Sequence, residues 1–213
     1  MKPTFDIENT YIKKTVVGLD EAGCGPCAVP LVAGCVYIDQ RYIDEDTTAL
    51  FNDSKKLSEN QRLRAFEKIQ LSQNIIYGVG IVSVEEIDDL KLSLAHKLCM
   101  KRSYDNMRPK MLVLPDVALV DGIRKPHFDC PDIVCVKKGD QLSLSIAAAS
   151  IVAKVTRDHI MRDLHDDFPH YQWARNAGYG TKAHQEAIHK NGLTPHHRKS
   201  FKPIAHYLLA QSE

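Results

Sequence analysis

An α/β domain, a mixed sheet flanked by helices, is predicted by three features of the sequence. Short β-branched runs alternate with long helical periodicities. The runs are apolar almost throughout, as strands covered on both faces are. Two of them end directly in acidic residues, at the sheet end where α/β domains collect functional groups. Residues 15–20 (Thr-Val-Val-Gly-Leu-Asp) read as the first buried strand, and Leu31 to Ile38 as the second, after a Gly/Pro-rich turn. Ser58 is a good N-cap for a helix over Glu59 to Leu71, and Ile75 to Val82 returns to strand chemistry. Residues 84–104 carry Ile87, Leu90, Leu94 and Leu98 at helical spacing. Pro115 interrupts the next apolar run, which leaves 117–120 as a strand ending at Asp121-Gly122. Asp132 to Val136 is another short strand, 144–164 a long Ala-rich helix, and the chain beyond Pro169 an appended helical segment. The expected organisation is therefore a domain over 1–169 with an extension over 170–213, built as one structural unit.

With 213 residues, 44% of them hydrophobic, the chain can bury a substantial single core. No apolar stretch is long enough for a membrane span and the start lacks a secretory signal, so a soluble, cytoplasmic, monomeric protein is expected. Six scattered cysteines fit reduced thiols better than a disulfide framework. The net charge of +1 says little about partners, but its distribution is uneven. Between Tyr171 and His206 six Lys or Arg face a single acid, Glu186, with Trp173, Tyr179 and five histidines among them. A basic stretch with interleaved aromatics suits a polyanion carrying stackable bases, and a plain solvated basic surface is the simpler alternative.

Asp20-Glu21 emerges where an apolar strand meets Gly23-Cys24-Gly25-Pro26; Asp121 ends another strand, and Asp140 follows Gly139. Neighbouring residues on an extended strand point to opposite faces, so Asp20 and Glu21 share a site only if the chain bends or one contributes its carbonyl. Carboxylates gathered without cations raise one another's pKa until a hard ion neutralises them. Mg²⁺ or Mn²⁺ suits such oxygen ligands, and four acids suit two ions bridged by a phosphodiester. Each acid alone is more simply read as a turn or loop residue.

Six blocks resemble those of the ribonuclease HII (type 2 ribonuclease H) family, in order over almost the whole chain. They are Gly18 to Pro26, Asn52 to Ser58, Leu119 to Gly122, Lys138 to Asp140, Ala147 to Asp158 and Gly178 to Thr181. The resemblance implies a ribonuclease H-like fold whose C-terminal helical extension helps bind nucleic acid. It implies an endoribonuclease that hydrolyses the RNA strand of RNA/DNA hybrids, leaving 3′-OH and 5′-phosphate ends, and that also cuts 5′ of ribonucleotides embedded in duplex DNA. By position, Asp20, Glu21, Asp121 and Asp140 match the family's catalytic, metal-binding acids, served by Mg²⁺ or Mn²⁺. Tyr179 matches a tyrosine that stacks on the deoxyribose beside the ribonucleotide. Gly23, Cys24 and Gly25 match the loop that reads the ribose 2′-hydroxyl, while Lys55, Lys56, Ser150 and Lys154 lie in blocks near the substrate backbone. Cys24 departs from the pattern, because the family carries arginine there for a phosphate contact. That puts cleavage at an isolated ribonucleotide in more doubt than cleavage of a long hybrid, and leaves a catalytically weakened hybrid-binding protein as an alternative. Lys91 stands where asparagine is common.

Cys24-Gly25-Pro26-Cys27 also spells a thiol-disulfide motif. A reactive dithiol needs its first cysteine at a helix N-terminus, and the residues that follow read as strand. Oxidation of the pair could nonetheless distort the substrate loop. A zinc module joining Cys24 and Cys27 to Cys130 and Cys135 is the remaining alternative, on loose spacing.

Overall fold

The computed structural model describes residues 2–211. Strand β1 (Val16–Ala22) lies at the centre of a sheet ordered β3-β2-β1-β4-β5, with β2 Leu31–Ile38, β3 Ile75–Val82, β4 Val117–Asp121 and β5 Asp132–Val136. β1 runs antiparallel to β2, and β2 to β3; β4 is parallel to β1, and β5 to β4. The sheet is therefore mixed, and β1 is where its two halves meet.

The helices are α1 (Glu45–Thr48), α2 (Glu59–Leu71), α3 (Val84–Met107), α4 (Leu144–Asp167), α5 (Trp173–Asn176), α6 (Lys182–Asn191) and α7 (Lys202–Ala210). Ser58 and Ser83 cap α2 and α3 in reciprocal boxes with Gln61 and Glu86, which satisfies otherwise orphaned backbone donors at each start. α3 covers one sheet face and α4 the other, and strand parity sorts the side chains between them. Val17 and Leu19 of β1, with Ala118 and Val120 of β4, join the core beneath α3. Val16, Val117 and Leu119 pack on the other side with Ile146 of α4. Close approach is built in: a Cβ at Gly18 would lie 2.2 Å from the Ser145 carbonyl carbon, and one at Gly80 would lie 2.2 Å from the Cys99 oxygen.

Helix α3 departs from the expected pattern. Lys91 sits at φ 63°, ψ 157°, which breaks the helix with neither Gly nor Pro present. The break shifts the buried face beyond it to Ala95, His96, Cys99, Met100 and Ser103, and leaves Leu94, expected in the apolar stripe, 55% exposed. Ahead of it, the Asp88 carboxylate accepts hydrogen bonds from Lys199 N, Ser200 N and Ser200 Oγ, which ties this turn to the chain between α6 and α7.

The segment after residue 169 packs as core as well as surface. Trp173, Tyr171, Ile188 and Ile204 cluster with Met161 of α4 and with Cys27, Ala28 and Val29. Backbone hydrogen bonds join Cys27 N to Gly178 O, Val29 N to His196 O and Arg198 N to Cys27 O.

Candidate metal centre and substrate loop

Parity decides which acids meet. β1 stays paired with β2 through Ala22, so Asp20 and Glu21 take opposite faces. Asp20 shares the α4 side with Gly18, and Asp121 shares it with Leu119. The parallel register Val16↔Val117 to Leu19↔Val120, carried one residue further, sets Asp20 beside Asp121. Asp140 enters from the turn that leads into α4, and the Gly139 N–H of that turn donates to Asp121 Oδ1 at 2.7 Å. One carboxylate oxygen from each of Asp20, Asp121 and Asp140 lies within 4.8 Å of the others, with Asp20 and Asp140 both 6% exposed.

None of the three is ion-paired among the described residues. Burial, then the Glu21 and Asp121 charges, push the Asp20 carboxyl well above its usual range. Burial, Asp121 and Asp53 carry Asp140 up to about 6, and burial raises Asp121. Asp53, a further buried acid, hydrogen-bonds Gln141 Nε2 at 3.3 Å. It belongs to the Asn52-Asp53-Ser54 block, but an acid before Ser-Lys-Lys carries no sequence signal that it faces Asp140. Lys55 answers this charge: burial would depress its ammonium, but Asp20, Asp140, Asp53 and Asp121 hold it up.

Glu21 lies on the α3 side, outside the close trio. Its Oε2 is 3.2 Å from His96 Nε2, and its Oε1 accepts from Cys24 Sγ at 3.4 Å. Although burial works against ionisation, the His96 and Cys24 contacts, with Lys55 nearby, hold Glu21 below the usual carboxylate range. Sequence reading gave no sign of His96, since on helical spacing it is one more buried position beside Cys99 and Met100.

The loop that follows β1 is pinned from beneath. Gly23 has φ +106°, and a Cβ there would fall 2.4 Å from Arg157 Nε, so only glycine fits. Arg157, buried, spends its donors on the Pro30 and Ala177 carbonyls. Tyr179, 53% exposed, lies over Gly25, where a Cβ would come 3.1 Å from its ring. His184 Nδ1 donates to the Tyr179 carbonyl at 2.9 Å, which leaves its Nε2 to accept from Trp173 Nε1 at 3.1 Å and to face His197 Nε2 at 3.2 Å. His197 Nδ1 in turn accepts from Thr194 N. The basic stretch divides between interior and surface: Trp173, His184, His197 and Arg198 are buried, while Tyr179, Arg175, Lys182, His189, Lys190, Lys199, Lys202 and His206 are exposed. Burial won there because the rings satisfy one another's hydrogen bonds.

Of the other expected substrate residues, Lys55 and Lys56 are exposed, and Lys154 pairs with Asp158 at 2.6 Å. Ser150 is buried, donating to Ala147 O and accepting from Ser54 N, so its hydroxyl holds the lysine loop against α4. Cys24 and Cys27 are both free thiols. Burial, reinforced by Glu21, pushes Cys24 up to about 12, and burial also raises Cys27, the opposite of an activated dithiol. The four cysteines of the zinc alternative form no metal-sized group among the described residues.

The family model of ribonuclease HII matches residues 17–204. Ribonuclease HII of Magnetococcus marinus is 47% identical over 97% of this chain and 95% of its own length. That of Paramagnetospirillum magneticum is 46% identical over 91% and 93%. Among solved structures, ribonuclease H2 of Pyrococcus horikoshii superposes with a TM-score of 0.75 at 24% identity, covering 93% of this chain and 99% of that one. Bst-RNase HIII in complex with Mn²⁺ gives 0.72 at 19%, over 92% and 70%. A mixed sheet that brings Asp20, Asp121 and Asp140 together, a match spanning nearly the full chain and relatives close to half identical agree on one assignment: the chain belongs to the ribonuclease HII family.

Proposed function

We propose that the protein is an endoribonuclease that hydrolyses the RNA strand of RNA/DNA hybrids, using two Mg²⁺ or Mn²⁺ ions held by Asp20, Glu21, Asp121 and Asp140. The observation that carries this reading is the trio of mutually close carboxylates, raised in pKa by burial and by neighbouring acids, with no ion-pair partner among the described residues. An all-oxygen donor set of this kind fits a hard divalent cation and supplies no soft ligand for zinc. The Mn²⁺ complex of Bst-RNase HIII supports the same choice. When bound, the ions supply Lewis acidity and charge neutralisation at the scissile phosphate.

The chain's own groups do the rest. Asp20 and Asp121, side by side on adjacent strands, and Asp140, tied to Asp121 through Gly139 N, present their oxygens with little rearrangement. Lys55 offers positive charge to the incoming phosphate backbone beside the trio. The Gly23 to Gly25 turn presents backbone groups to the ribose, with the exposed Tyr179 ring over Gly25 to stack on the neighbouring sugar. Cys24 offers a protonated thiol in place of a guanidinium, so isolated ribonucleotides in DNA are cut less efficiently than long hybrids.

The test is a cleavage assay on a long RNA/DNA hybrid and on a DNA duplex bearing one ribonucleotide, with Mg²⁺ and Mn²⁺ in turn. Metal-dependent cleavage of the hybrid, leaving 5′-phosphate ends, is expected. Binding of the hybrid without hydrolysis under either metal would refute the reading in favour of a catalytically inert hybrid-binding protein.

A further inference from the structure

His96 occupies a position in α3 that chemistry does not favour unless its hydrogen bond has a purpose. The ring is 2% exposed, among Ala95, Cys99 and Met100, where an apolar side chain would pack without leaving a polar atom stranded. Here one is stranded: His96 Nδ1 is buried and has no hydrogen-bond partner among the described residues. Its Nε2 meets Glu21 Oε2 at 3.2 Å. A carboxylate can only accept, so Nε2 is the donor of this bond. On the other carboxylate oxygen, Cys24 Sγ donates at 3.4 Å. Each Glu21 oxygen is thus engaged by a different donor, one from α3 and one from the loop after β1, and the plane of the carboxylate is fixed.

The placement matters because parity sends Glu21 away from the other acids. Asp20, Asp121 and Asp140 form the close trio, and Glu21 stands at its edge on the opposite face of β1. A carboxylate in that position swings freely about its own side-chain bonds unless something orients it. Metal-binding carboxylates are commonly oriented by a hydrogen bond from a neighbouring group, which fixes the free lone pairs toward the ion.

We propose that His96 is a positioning residue that orients Glu21 toward the cation site, with the Cys24 thiol steadying the second oxygen. The inference rests on the reading of Glu21 as a cation ligand. His96 does not touch substrate or ion; it acts through Glu21 alone.

The test uses the full chain stripped of metal, titrated with Mn²⁺ alone by calorimetry, so that the outcome does not depend on cleavage. For His96→Ala, the weakest Mn²⁺ step detected should weaken on the order of 10- to 100-fold. His96→Gln, whose amide can donate to Glu21 from a similar reach, should recover most of that loss. In the cleavage assay the Mn²⁺ concentration giving half-maximal rate should rise in step, while KM for the hybrid at saturating Mn²⁺ stays within about twofold of wild type. Unchanged or tighter Mn²⁺ binding by a folded His96→Ala protein overturns the proposal. Equal losses in His96→Ala and His96→Gln, tracking a fall in melting temperature, overturn it too, because they mark His96 as a packing residue. A wild-type protein that binds Mn²⁺ but cleaves nothing would instead sink the nuclease reading and leave the His96 result standing.

Discussion

The acid trio at the end of β1 and β4 and the ring cluster of the C-terminal extension are both buried and polar, yet they are built on opposite terms. In the trio, like charges face one another without ion-pair partners among the described residues, and all three carboxyls are raised in pKa. In the ring cluster each nitrogen of His184, His197 and Trp173 has a partner, and the histidines stay neutral because burial lowers them. The difference shows where this fold gives up stability for chemistry and where it invests in rigidity. The first site is left with uncompensated like charge, whereas the second is complete in itself and passes its order to Tyr179 through a single carbonyl.

The sharpest way to break the comparison is Asp121→Asn. Cleavage of a hybrid should fall by about a thousandfold or more, roughly 4 kcal/mol of barrier, while hybrid affinity stays within a few-fold. Single-turnover rates beside fluorescence-anisotropy binding check this, and wild-type turnover would remove Asp121 from the machinery.

The pH response of the ring cluster comes next in size. His197 titrates at about 4 in the folded protein against about 6.5 in the unfolded chain. The unfolded state therefore binds protons first, and stability falls as pH drops from 6.5 toward 4, by up to about 3 kcal/mol. Asp140 works the other way, because a carboxyl raised to about 6 holds its proton better when folded and gains stability as pH falls through 6. Comparison with His197→Gln isolates the first effect: the stability gap between wild type and variant, from urea unfolding, should narrow between pH 7 and pH 4.5. A gap that does not change with pH would mean that His197 is not kept neutral by the fold.

Cys24→Arg should be smaller, a gain of about tenfold in cleavage at an isolated ribonucleotide relative to a long hybrid, near 1.4 kcal/mol. No gain would show that the loop compensates for the missing guanidinium elsewhere. Smallest is Asp140→Asn, expected to stabilise the metal-free protein at pH 7 by about 1 kcal/mol, read as a rise of a few degrees in melting temperature, while cleavage is lost. A lower melting temperature would show that Asp140 serves the fold more than it strains it.

Much of this was legible in the residues. Alternation of apolar runs and helical spacings placed β1 to β5 and the long helices, because periodicity reflects burial directly. The opposed directions of Asp20 and Glu21 also followed from strand geometry alone. What could not be read was pairing across the fold. His96 lies 75 residues from Glu21 and looks like any buried helical position. Asp53 reaches Asp140 only because a lysine loop is folded against Ser150. Nor could the sequence say which members of the basic stretch turn inward: Trp173, His184 and His197 do so because they satisfy one another's hydrogen bonds, while Tyr179 and the lysines stay at the surface. Lys91 broke the expected helix without a proline or glycine to announce it.

The welding of residues 27–29 to the extension has a consequence for any redesign of the chain. The strip following β1 takes its main-chain partners from Gly178, His196 and Arg198, and the Arg198 side chain closes on the Val29 carbonyl as well. A protein cut after residue 169 would leave Val29 and its neighbours with bare polar backbone, so a replacement tail must reproduce those main-chain contacts before the strip is whole again.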